Sequence, residues 1–126
     1  MGNSYRDLLV WQNARDYAIK VYRATERFPK AEQFGLTNQI RRAAVSVASN
    51  IAEGQGRLTP GEFIQFLGIA RGSLLELWTQ FEIAYGLGYL SRVDFEELDY
   101  EANGLLGLLN RLINSLRKRT SRPESS

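Results

Sequence analysis

The 126 residues include no cysteine and no histidine. The first absence excludes disulfides and thiolate chemistry. The second removes the commonest general base and the commonest transition-metal ligand together. No stretch as long as a membrane span is free of charge. No long apolar run precedes Arg6 and Asp7, so a signal peptide is not expected. These absences point to a soluble cytoplasmic protein with no metal and no cofactor. Lysine is scarce too, three against thirteen arginines. Arginine grips phosphate and carboxylate in a planar fork, which favours interface or nucleic-acid roles. A genome-wide bias in codon use explains the ratio equally well. Net charge is only +2, yet residues 1–57 carry +4 and residues 58–126 carry −2.

A chain of this length can bury a core as one domain without staples. Residues 1–119 read as that domain. Residues 120–126 are polar, hold Pro123, and read as a fraying tail. The chain is organised around residues 34–57, FGLTNQIRRAAVSVASNIAEGQGR. The spacing predicts one helix, entered at Gly35, Leu36 and Thr37 and stopped at Gly54. Gly54 and Gly56 would form a left-handed C-cap. Leu36, Ile40, Ala44, Val47 and Ile51 share a face. The small residues Ala43, Ser46, Ala48, Ser49 and Ala52 flank it and would let another backbone come close. Arg42, Ser46, Ser49 and Glu53 form a narrow polar stripe opposite.

A first helix is expected over residues 6–27, with Trp11, Ala14, Ala18, Val21, Thr25 and Phe28 inward and Tyr17 and Tyr22 beside them. Pro29 ends it. The third helix has the clearest start: Thr59 as N-cap, Pro60 at the first position, Glu62 completing a capping box. Phe63, Leu67, Ala70, Leu74, Leu77, Phe81 and Ala84 then make one stripe, with Phe66, Ile69 and Ile83 off it. Ser91 caps the fourth helix, with Asp94 in its box. Acid stands first, from Asp94 to Glu101, and Arg117, Lys118 and Arg119 stand last, as the helix dipole favours. Leu98, Ala102, Leu105, Leu109, Leu112 and Leu116 face inward. Four amphipathic helices with short connections predict an all-α, antiparallel up-down-up-down four-helix bundle.

The segments LLVWQNARDYAIKVY, FGLTNQIRRAAVSVASNIAEGQGR and FIQFLGIARGSLLELWTQFEIAYGLGYL carry a resemblance. They resemble a bacterial family of four-helix-bundle proteins encoded in intervening sequences of large-subunit ribosomal RNA genes. That family is similar in fold to the accessory protein of diversity-generating retroelements. The resemblance implies a left-handed bundle, a ring-like homopentamer, a role in binding RNA or DNA, and no enzyme activity. The chain departs from the family at Ala48, where proline is common, and at Trp78, where an acidic residue is common.

Two basic clusters are candidates for binding nucleic acid. Arg41 and Arg42 with Arg57 would be repeated around a ring, turning a small charge into a continuous positive surface. Alternatively, Arg42 pairs with a carboxylate such as Glu53 of a neighbour and only fixes the interface. Arg117, Lys118 and Arg119, with Arg122, form the second cluster. A flexible basic tail can hold phosphates through counterion release, but dipole capping and solubility explain so short a run as well. Val45, Ser46, Ser49, Asn50 and Glu53 are the candidate oligomer interface. Residues 53–57, EGQGR, lack the strand and glycine spacing of a phosphate loop and read as a helix end. The acids at 94–101 fit no calcium loop.

No catalytic reading rises above background, although carboxylates alone can bind magnesium. The expected function is therefore a non-enzymatic oligomeric module that binds RNA or DNA weakly, or a nucleic-acid enzyme. The alternative is a protein-interaction scaffold. Leu8, Leu9, Tyr22, Val45, Phe66, Ile69 and Ile83 lie outside the inward stripes. They would leave more apolar surface exposed than a small monomer tolerates, which argues for a homo-oligomer.

Overall fold

The computed structural model describes residues 4–121. Among these, four α-helices carry nearly all the regular structure: α1 (Leu9–Ala24), α2 (Leu36–Gln55), α3 (Pro60–Gly86) and α4 (Arg92–Ser121). Single 3-10 turns stand at Tyr5–Asp7 and Lys30–Glu32, and no described residue lies in a strand.

Capping explains both ends of α3 and the start of α4. The Thr59 hydroxyl accepts from the Glu62 backbone N–H at 3.2 Å and donates to Glu62 Oε2, with Pro60 just inside. Ser91 Oγ accepts from the Asp94 backbone N–H at 3.1 Å. At the end of α3, Gly88 takes φ +80°, its N–H donates to Tyr85 O, and the Tyr89 N–H donates to Ala84 O. That is a Schellman cap, which needs a left-handed residue beyond the helix.

The expected left-handed cap at the end of α2 is not there. Gly54 is helical, α2 continues to Gln55, and Gly56 stays right-handed at φ −79°. Gly54 is buried and serves packing instead. A Cβ built on it would lie 2.8 Å from both Phe63 Cδ1 and Phe66 Cβ. The α2 backbone thus comes down onto α3 at a place where no side chain fits.

The first helix is also shorter than residues 6–27. Ser4 caps the 3-10 turn at 3.1 Å to the Arg6 N–H, and Leu8 is extended at ψ 124° before α1 begins. The inward face is rotated as well. Val10, Ala14, Tyr17 and Val21 are buried, while Trp11 and Ala18 are half-buried. Tyr17 turns inward because its ring fills the seam with α4 and its hydroxyl donates to Leu98 O at 2.9 Å.

In α3, Leu67, Ala70, Leu74, Leu77, Phe81 and Ala84 are all buried. Ile40, Ala44, Val47 and Ile51 of α2 meet them, as do Leu98, Ala102, Leu105, Leu109, Ile113 and Leu116 of α4. Each large side chain contributes ~1.5–3 kcal/mol when fully buried. Leu112, expected inward, is only half-buried, and Ile113 takes its place. The chain remains helical through Thr120 and Ser121, and residues 122–126, with Arg122 and Pro123, lie outside the described part.

Candidate nucleic-acid interface

The residues that flank the α2–α3 turn and the last turns of α4 meet at one end of the molecule. Gln55, Arg57, Pro60 and Phe63 line a groove of about 420 Å3 together with Leu8, Leu116 and Arg119. Arg57 and Arg119, from the two separate basic clusters, therefore share one site. Arg57 is held in place: its guanidinium donates to Glu53 at 3.0 Å and lies 4.5 Å from the Phe66 ring centroid. Arg117, Lys118 and Arg119 are exposed on the last turns of α4, on a helix rather than on a flexible tail.

Arg41 does not join them. Its Nε donates to Thr25 Oγ1 at 2.8 Å, a second nitrogen donates to Tyr22 O at 3.1 Å, and its charge sits 4.7 Å from the Tyr22 ring centroid. The last carbonyls of a helix lack intrahelical partners, and Arg41 satisfies one of them at the end of α1. This arginine is a structural clamp and is a poor candidate for binding phosphate. Arg42 is exposed and lines a different groove, beside Gln39, Ser46, Ser73 and Glu76.

The five interface candidates divide between the two flanks of α2. Val45, 43% exposed, and Ser49 open towards α1, where a groove of about 660 Å3 is lined by Trp11, Ile19, Tyr22, Ala48 and Ala52. Ser46 and Asn50 face α3 and are used within the chain. Ser46 Oγ bonds Ser73 Oγ at 2.8 Å, and Asn50 Nδ2 donates to Ser46 O at 2.8 Å. Glu53 pairs with Arg57 one turn on along the chain.

Comparison with known proteins bears on this arrangement. The family described as 23S rRNA-intervening sequence protein matches residues 6–111. The chain belongs to this family. It is similar to the crystal structure of a protein of unknown function from the S23 ribosomal protein family of Bacteroides thetaiotaomicron VPI-5482, with a TM-score of 0.78 and 21% identity. The match covers 84% of this chain and 96% of that one, and at such identity it speaks to the fold alone. No curated protein matches the sequence.

In this member of the 23S rRNA-intervening sequence protein family, several polar contacts escaped the sequence reading. Lys20 of α1 pairs with Glu97 at 3.1 Å and with Glu101, both on α4. These carboxylates, Glu101 first, hold the Lys20 ammonium above its usual range. Burial, and then the charges of Glu101 and Asp99, push the Tyr17 phenol far up. Trp78 of α3 donates its indole N–H to Asp99 on α4. Arg71 of α3 donates to Asn110 Oδ1 at 2.9 Å. Pairings across helices cannot be read from local spacing. One signal was legible: residues 102–121 contain no Asp or Glu. Among the described residues, no helix is long and apolar enough to cross a membrane, and no group of three or more acids is placed to hold a metal.

Proposed function

We propose that this chain is a non-enzymatic, cytoplasmic, self-assembling helical bundle that binds nucleic acid weakly through arginines at one end. The observation that carries the reading is the shared groove of Arg57 and Arg119, which brings two distant basic stretches onto one surface. Positive charge gathered in one place favours phosphate through counterion release. The helices are taken to run alternately up and down. In support, Arg71 meets Asn110 while Trp78 meets Asp99, so the partners descend along α4 as α3 ascends.

Assembly rests on the groove between α1 and α2, where Ile19, Tyr22 and Val45 stand exposed together in a largely apolar lining, the kind of surface at which a second chain docks. A closed ring would repeat the Arg57–Arg119 groove around its rim. The number five comes from the family resemblance only. The same apolar groove also favours the alternative, a scaffold for another protein with the charge incidental. Salt titration of binding to random RNA and DNA separates the two. Arg57→Glu combined with Arg119→Glu is expected to abolish binding at low salt, whereas Arg42→Glu is expected to leave it. Absence of binding at low salt by a correctly assembled protein rejects the nucleic-acid reading and leaves the scaffold.

A further inference from the structure

From residue 102 to residue 121, α4 holds four basic residues, Arg111, Arg117, Lys118 and Arg119, and no acid. Arg111 and Lys118 are seven residues apart, so they share a face ~10.5 Å apart along the axis at 1.5 Å per residue. Arg71 reaches the same face from α3, exposed and held by its bond to Asn110. Asn114 lies exposed between Arg111 and Lys118. Among the described residues, the exposed large apolar side chains end at Tyr100 in chain order, so none lies on this stretch. Residues 102–121 of α4 are thus basic, without acid and without an exposed large apolar side chain, and such a stretch is unsuited to burial against another copy. It is suited to a polyanion.

We propose that this face, Arg71, Arg111 and Lys118 with the amides of Asn110 and Asn114, binds the sugar-phosphate backbone of a nucleic-acid duplex. The proposal rests on the nucleic-acid reading above and names the form of the ligand. Two features select a duplex. Proteins that hold single strands add aromatic platforms on which bases stack, and residues 101–121 contain no aromatic side chain. A duplex carries one charge per ~1.7 Å of axis, about double the density of one strand, so fixed charges on a straight helix gain more against it. The short amides reach phosphate and sugar and carry no base-reading pattern. Binding is therefore indifferent to sequence. The face continues the end groove, because Arg119 follows Arg111 by eight residues on the same helix.

The test is fluorescence anisotropy with a labelled duplex and with one of its strands, across a salt series. The duplex is expected to bind on the order of tenfold more tightly at low salt. Arg71→Glu with Arg111→Glu is expected to weaken duplex binding at least tenfold and to flatten the slope of log affinity against log salt by about two, since each lost phosphate contact removes about 0.9. Both side chains are exposed, and Arg111→Gln, which removes the charge but leaves a polar, hydrogen-bonding end, is expected to flatten the slope by about one should the double reversal misfold. A strand that binds as tightly as the duplex overturns the proposal. So does unchanged duplex binding in the Arg71 and Arg111 variants while the Arg57 and Arg119 pair abolishes it; the nucleic-acid reading then survives alone. Binding to neither probe ends both.

Discussion

Replacing Gly54 by alanine sets two effects of known size against each other. Alanine is favoured over glycine in a helix by up to ~1 kcal/mol. Gly54 stands one residue before the end of α2, so the gain there is smaller. Against it stands the close approach of α3. The new methyl would sit 2.8 Å from Phe63 Cδ1 and 2.8 Å from Phe66 Cβ, where carbon atoms prefer ~3.5–4.0 Å. The Phe63 ring can rotate away. Phe66 Cβ is fixed to the α3 backbone, so relief requires the two helices to part by several tenths of an ångström. Overpacking of this kind costs typically ~1–3 kcal/mol. The clash wins, and Gly54→Ala is expected to destabilise by about 1–2 kcal/mol, the overpacking cost less the reduced helix gain.

Gly104→Ala is the matched control, since nothing lies within 4 Å of a Cβ at that exposed position in α4. It is expected to stabilise by ~0.5–1 kcal/mol. Urea unfolding followed by circular dichroism, at one protein concentration because any self-assembly would shift apparent stability, measures both. Equal signs for the two variants would refute the packing argument.

Leu74 is fully buried in α3, so Leu74→Ala is expected to cost ~2–5 kcal/mol in the same assay, through the cavity it leaves. A loss below about half a kcal/mol would mean that α3 does not form the core. Stability is also expected to fall on the alkaline side. Tyr17 is held neutral in the folded chain, so its contribution is complete below the ordinary value of 10.0 and is lost as pH rises above it, because only the unfolded phenol then ionises. Lys20, raised by its carboxylates, contributes fully below 10.5 and loses that contribution as pH climbs through its folded value. Tyr17→Phe is expected to flatten urea midpoints between pH 9 and pH 11, and an unchanged slope would remove Tyr17 as the cause. Ser49→Arg is expected to reduce the assembled mass in light scattering behind size exclusion while helicity persists. An unchanged elution would put Ser49 outside the interface.

Local chemistry was enough to determine four helices, the limits of α3 and the start of α4. A capping box acts within one turn, so Thr59 and Ser91 carry their meaning wherever the helix is later packed, whereas α1 stops at Ala24, before Pro29 could end it. The long stripe of α3 was equally legible, because Leu67, Ala70, Leu74 and Leu77 repeat at helical spacing and are buried together. What depended on partners far along the chain was not legible. Trp11 and Val10 both suit an inward face, and only the position of α4 chose Val10, with Tyr17 filling the seam. Gly54 looks like a stop from its neighbours, and only Phe63 and Phe66 reveal it as a close contact. Arg41 carries the same charge as Arg57 in sequence. The end of α1 consumes the first, while α4 brings Arg119 beside the second. A side chain's helical tendency is a property of its own few neighbours. Whether its charge remains available is decided by groups that only folding brings within a few ångströms.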